Sequence, residues 1–174
     1  FGYGAHAVYS EDHGVTWKMG GTIRPHSNEC QIFEVADGKG TLVMNSRSYF
    51  GRARRTHAVS TDGGLTFSEP VDVAELLEPV CQGSVIRHRW PSGDKPGLLL
   101  FSNPANAKSR VDLTVKFSFN DGADWPKSKL LHAGPSAYSC LVSLSEQKAG
   151  CLYEAGKKSA YETIVFQAFH VEAK

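Results

Sequence analysis

No stretch of this chain approaches the roughly 18 consecutive apolar residues that cross a membrane as a helix. Charge of either sign is not in excess. The formal net charge is +1, which implies neither nucleic acid nor an anionic surface as a partner, although membrane association by other means stays open. The one basic cluster, Arg52, Arg54 and Arg55, lies in a stretch that reads as a strand and is expected to be a solvated outer face. Cysteine is sparse, with four residues. Cys30, Cys81, Cys140 and Cys151 lack the short paired spacing of a zinc site, and the histidines form no H-x-x-x-H. No metal is therefore expected, and the cysteines read as small hydrophobes rather than a disulfide framework. The absence of an N-x-S/T sequon leans away from a secreted glycoprotein. No long amphipathic helix can be drawn, and only "DVAELLEPV" could form a helical turn, before Pro79. The first residue is Phe1 rather than Met and no leader precedes the folded pattern, so the start of the natural chain is expected to be missing.

What the chain has is 174 residues, 41% of them apolar, enough for one domain with a real core. It also has a repeat. "SEDHGVTW", "STDGGLTF" and "SFNDGADW" begin at Ser10, Ser60 and Ser118. Intervals of about fifty residues point to propeller blades or solenoid units. In "VDLTVKFSF" the apolar residues from Val111 to Phe119 alternate with polar ones, the period of a half-buried strand. "QIFEVA", "TLVMNSR", "RTHAVS", "GLLLFS", "YSCLVSL", "GCLYEA" and "ETIVFQAF" read likewise, and "ADGKG" reads as a hairpin turn. Strands at this period predict an all-β fold of four-stranded antiparallel blades arranged radially. In each repeated turn, Ser and Asp can bond neighbouring backbone N–H groups, Gly supplies a positive φ, and the final aromatic plugs the space beneath. Such a turn builds structure and performs no chemistry.

These turns resemble the Asp boxes of the sialidases, or neuraminidases. The similarity extends to "NECQIFE", "NSRS", "EPVCQGSVI", "FSNP", "SRVDLTVKFSFNDG", "GPSAYSCL" and "GCLYEAG", which follow the family's order over nearly the whole chain. The resemblance implies the C-terminal half of a six-bladed β-propeller across residues 1–174, with the site on the face opposite the boxes. The family's first arginine, in an R-I-P motif, and its acid/base aspartate have no counterpart here. Arg24 and Pro25 of "TIRPH" stand in the wrong order and after a box.

The resemblance also implies roles. Sialic acid carries a carboxylate on its anomeric carbon, and arginine's planar fork suits that group. Arg47 matches the second arginine of the family's triad and Arg110 the third. Tyr138 matches the nucleophile, neutral until a base takes its proton, so that it avoids repulsion from the substrate carboxylate. Glu34 of "CQIFEV" is assigned as that base. Glu154 matches the glutamate that orients the first arginine, and without that arginine it is expected to have no cation inside this chain. Gln82 of "CQGSV" and Asn103 of "SNPAN" are rim candidates for sugar contacts, or else turn-stabilising amides.

The expected activity is that of a retaining exo-α-sialidase acting on sialylated glycoproteins, glycolipids or oligosaccharides, with no cofactor. The alternatives are a trans-sialidase and a non-catalytic Asp-box propeller that binds glycans or proteins. The 174 residues alone are expected to be inactive. A half-propeller exposes an apolar flank, so the missing half or another chain is expected to cover it. Linkage preference, oligomeric state and compartment, whether cytosolic, membrane-associated or lysosomal, are not encoded in these motifs.

Overall fold

A computed structural model describes residues 2–171, and no helix occurs among them. Twelve strands follow one another: β1 Ala5–Tyr9, β2 Lys18–Ile23, β3 Ser27–Glu34, β4 Leu42–Ser48, β5 Arg54–Ser60, β6 Val71–Leu77, β7 Ser84–Arg89, β8 Leu98–Pro104, β9 Val111–Ser118, β10 Lys127–Ser145, β11 Lys148–Ala155 and β12 Thr163–His170. All pair with sequence neighbours, antiparallel, in sheets of two (β1-β2), four (β3 to β6) and six strands (β7 to β12). The expected four-stranded unit is thus seen once. The six-stranded sheet arises because the long β10 changes partner midway. Lys127 to Pro135 pair with β9, Ser136 to Ser145 pair with β11, and Gly134 at φ 106° lies just before the change.

The helical turn that "DVAELLEPV" could form is absent. Asp72 to Leu77 extend within β6 along β5, where Val73 and Leu76 reach a core shared with Phe33, Leu99, Phe101 and Trp125. Tertiary burial overrides the weak helical preference of that stretch. A second core joins Leu98, Leu113, Val115, Phe117, Leu141 and Tyr153 across the six-stranded sheet. The alternation read in β9 holds, since Leu113, Val115 and Phe117 are buried while Thr114 and Lys116 are not.

The repeated turns follow β1, β5 and β9. In the second, Ser60 Oγ accepts the Gly64 N–H, and Asp62 accepts from the Thr66 N–H and hydroxyl. The first is alike, through Ser10, Asp12, Gly14 and Thr16. In the third, Asn120 stands where the others have aspartate, and it accepts from the Asp124 N–H. The closing aromatics differ in burial. Trp125 is 4% exposed against Phe101, whereas Trp17 is 64% exposed, because only two strands stand beside its turn.

Candidate active site

Strand direction sorts the molecule into two ends. The boxes close the C-terminal ends of β1, β5 and β9, while Arg47 lies near the close of β4, level with the opposite end of β5. Arg110 immediately precedes β9. Both arginines therefore lie at the end away from the boxes. Glu29, near the beginning of β3, joins them, since Ser27 pairs with Ser48 and Cys30 with Ser46.

Three side chains from three strands meet there. Tyr138 of β10 donates its hydroxyl to Glu29 Oε1 at 2.5 Å. Arg47 of β4 donates from Nη1 to Glu29 Oε2 at 2.7 Å and to the Tyr138 oxygen at 3.2 Å. Burial alone would raise the Glu29 pKa. The Tyr138 and Arg47 hydrogen bonds, with the charges of Arg47 and Arg110, outweigh it and hold the carboxyl below its ordinary value. The same hydrogen bond to Glu29, together with burial and the Glu29 charge, pushes the Tyr138 phenol up, against the opposing pull of Arg47. Glu29 is thus ionised and already engaged with a phenol that keeps its proton.

The expected base, Glu34, is not part of this group. It pairs with Leu42, which in turn pairs with Ser60, the first residue of the second box. Glu34 is therefore exposed at the box end of β3. Five residues separate it from Glu29, about 17 Å along a strand. The motif "NECQIFE" carries two glutamates, and the antiparallel register selects the first for the tyrosine.

Arg110 stacks its guanidinium 5.7 Å from the centre of the Tyr138 ring. Its Nη2 donates to the Val80 carbonyl at 3.2 Å and its Nη1 to the Tyr161 hydroxyl at 2.7 Å. Val80 has φ 53°, a costly conformation for a β-branched residue, and it turns that carbonyl toward Arg110.

Glu154 of β11 accepts the Tyr138 N–H through Oε2 at 3.1 Å. Among the described residues no cation lies within ion-pair distance of it. Gln82 is committed to the backbone. Its amide donates to the Ser139 carbonyl at 3.0 Å and accepts the Ser139 N–H at 2.9 Å, bracing the strand beside Tyr138. Asn103 is fully buried and donates to the Leu77 carbonyl, so its amide does not reach the rim. Glu29, Tyr138 and Glu154, with Leu152 and Ile164, line an open cleft of about 420 Å³. Among the described residues no cluster of His, Cys, Asp or Glu is arranged to hold a metal ion.

One member of the basic cluster is not solvated. Arg55 and Glu78 are both fully buried and paired at 3.0 Å. Glu78 accepts the Ser48 N–H, next to Arg47, and Arg55 donates to the Cys81 carbonyl, next to Gln82. Arg55 also bonds Asn45 of β4. This network ties the strand that carries Arg47 to the segment that carries Val80 and Gln82. Its signal in the sequence was a glutamate beside a proline, 23 residues from its partner.

An all-β chain with Ser-Asp-Gly turns at about fifty-residue intervals and a polar cluster at the opposite strand ends is a BNR-repeat architecture, and residues 2–153 match the BNR repeat-like domain. The chain belongs to the sialidase family of BNR-repeat proteins. It is 37% identical over 158 residues to a sialidase of Micromonospora viridifaciens, covering 89% of this chain and 24% of that protein. Among solved structures it resembles the Hadza microbial sialidase Hz136, with a TM-score of 0.80 and 38% identity over 94% of this chain and 31% of the other. It also resembles the intramolecular trans-sialidase of Ruminococcus gnavus, with a TM-score of 0.77 and 26% identity over 94% of this chain and 37% of the other. The chain thus spans less than half the length of each.

Proposed function

We propose that the protein containing this segment is a retaining exo-α-sialidase that releases terminal sialic acid from glycoconjugates, and that these residues supply the nucleophilic half of its site. The observation that carries this reading is the Arg47, Glu29 and Tyr138 cluster. Glu29 takes the phenolic proton as Tyr138 Oη attacks the anomeric carbon, and the leaving alcohol departs with a proton from an acid outside this chain. Water then displaces Tyr138 with the proton transfers reversed, so two inversions give net retention. Arg47 and Arg110 hold the substrate carboxylate by charge-assisted bonds. Glu154, facing the same cleft with no cation beside it among the described residues, orients a third arginine from the remainder of the protein. The whole fold in this reading is a six-bladed propeller of which these residues form the C-terminal half.

The test is trapping. A fluorinated sialosyl donor whose second step is slow should label the full-length protein, and peptide mass spectrometry should place the sugar on Tyr138. A label on a carboxylate, or no label in a protein that hydrolyses sialosides, refutes the mechanism. The likeness to an intramolecular trans-sialidase supports a second reading, transfer to a sugar hydroxyl instead of water. Product analysis separates the two, since free sialic acid appears only in hydrolysis.

A further inference from the structure

The loop between β11 and β12 is built to deliver one side chain to Arg110. The Glu162 carboxylate accepts three backbone N–H groups, from Lys157, Lys158 and Ser159, and closes residues 157–162 into a tight turn. Gly156 makes that turn possible, because a Cβ there would lie 2.0 Å from the Ser159 carbonyl oxygen. The Gly156 N–H is tied back to the Pro135 carbonyl. At the tip, Ala160 is buried against Cys81 and Ala137, with Tyr138 packed on the same cluster. The next residue, Tyr161, is 63% exposed, yet its hydroxyl accepts from Arg110 Nη1 at 2.7 Å. Among the described residues nothing accepts the hydrogen of that hydroxyl.

We propose that Tyr161 is a positioning residue for the substrate-carboxylate site: its hydroxyl and the Val80 carbonyl fix the two ends of the Arg110 guanidinium. This rests on the sialidase reading and adds to it a residue from outside the expected set. Arg110 on its own is a long side chain with several rotamers. Clamped at Nη1 and Nη2 and stacked on the Tyr138 ring, it is held in one orientation before substrate arrives, so less ordering is left for binding. The effect should therefore appear in recognition of the carboxylate and not in the proton transfer between Tyr138 and Glu29.

The experiment uses the full-length protein and two probes, the 2,3-unsaturated analogue of sialic acid and its methyl ester, with affinities measured by calorimetry for wild type and Tyr161→Phe. Loss of one hydrogen bond to a charged partner should weaken the acid about tenfold and leave the ester within about twofold. The KM for a fluorogenic sialoside should rise by a similar factor with kcat nearly unchanged. Equal weakening of acid and ester makes Tyr161 merely structural and overturns the proposal, as does no change in either. A wild-type protein that binds neither probe overturns the sialidase reading itself, and this inference with it.

Discussion

Tyr138 Oη and Glu29 Oε1 lie 2.5 Å apart although 109 residues separate them in the chain, and Arg47 Nη1 reaches both. A phenol whose proton already points at an ionised carboxylate needs little reorganisation to become a nucleophile. The same carboxylate sits against Arg47, which stabilises its charge.

Substitution should separate the two glutamates of β3. Glu29→Gln in the full-length protein should lower kcat by about 10² to 10⁴-fold, the usual worth of a positioned base. Glu34→Gln, exposed at the box end, should stay within about twofold. Rates with a fluorogenic sialoside decide it, and an active Glu29→Gln enzyme would return the role of base to another group.

The pH profile should carry the same signature. Glu29 is held below its ordinary value of 4.5, so its ionised form exists above the lowered pKa and is lost as pH falls through it. The acid limb of kcat/KM due to this group should therefore lie below pH 4.5. Arg47→Met removes the Arg47 hydrogen bond and charge while burial remains, so the limb should move to higher pH. A limb that stays in place in Arg47→Met would show that another group sets it.

Much of this was legible in the sequence, and the failures have a common cause. The strands of β3, β4, β5, β8, β9, β11 and β12 could be read from local alternation, and the boxes from their repetition. Which glutamate meets Tyr138 is a question of pairing. The hairpin turn "ADGKG" contained the answer: a turn centred on Gly38 sets Glu34 opposite Leu42 and Cys30 opposite Ser46, and so brings Glu29 level with Arg47. Arg55 was misread because its partner, Glu78, lies on a segment that only the tertiary fold brings near. Tyr161 could not be found from local pattern, since its partner Arg110 lies 51 residues earlier.

Arg55 and Glu78 should be unequal to their replacements. Burial pushes the Glu78 carboxyl up, against the charge of Arg55, and pushes the Arg55 guanidinium down, against the charge of Glu78. The pair is thus expensive to bury, and removing one member leaves the other uncompensated. Glu78→Gln or Arg55→Met should each destabilise the fold by about 3–5 kcal/mol, whereas the double change Arg55→Met with Glu78→Leu should recover much of that loss. Urea unfolding midpoints measure it, and strictly additive losses would argue against coupling.

The isolated 174 residues should neither turn over sialosides nor remain monomeric. Ile164 and Phe166 of β12, with Leu152 and Val142 beside them, are all at least 44% exposed, and β12 is the terminal strand of its sheet among the described residues. An exposed apolar face on an unpaired strand edge is an association site. Sedimentation should show mass rising with concentration, and Ile164→Lys with Phe166→Glu should reduce it. A monomer at every concentration, or steady hydrolysis by this segment alone, would contradict the half-site reading.

The boxes should matter for the fold and not for the site. The carboxyl of Asp62 is lowered to about 2, first by the Thr66 hydroxyl, then by the Thr66 N–H and the Ser60 hydroxyl. A depressed carboxyl contributes stability that is fully present above its unfolded value, and that contribution is lost as pH falls through the folded one. Asp62→Ala should lower the thermal midpoint by a constant amount at neutral pH, and the gap to wild type should narrow only as pH drops from about 4 toward 2. KM for a sialoside should not change, because Asp62 lies at the end of β5 opposite Arg47. A raised KM in Asp62→Ala would mean that the two ends of the strand are coupled.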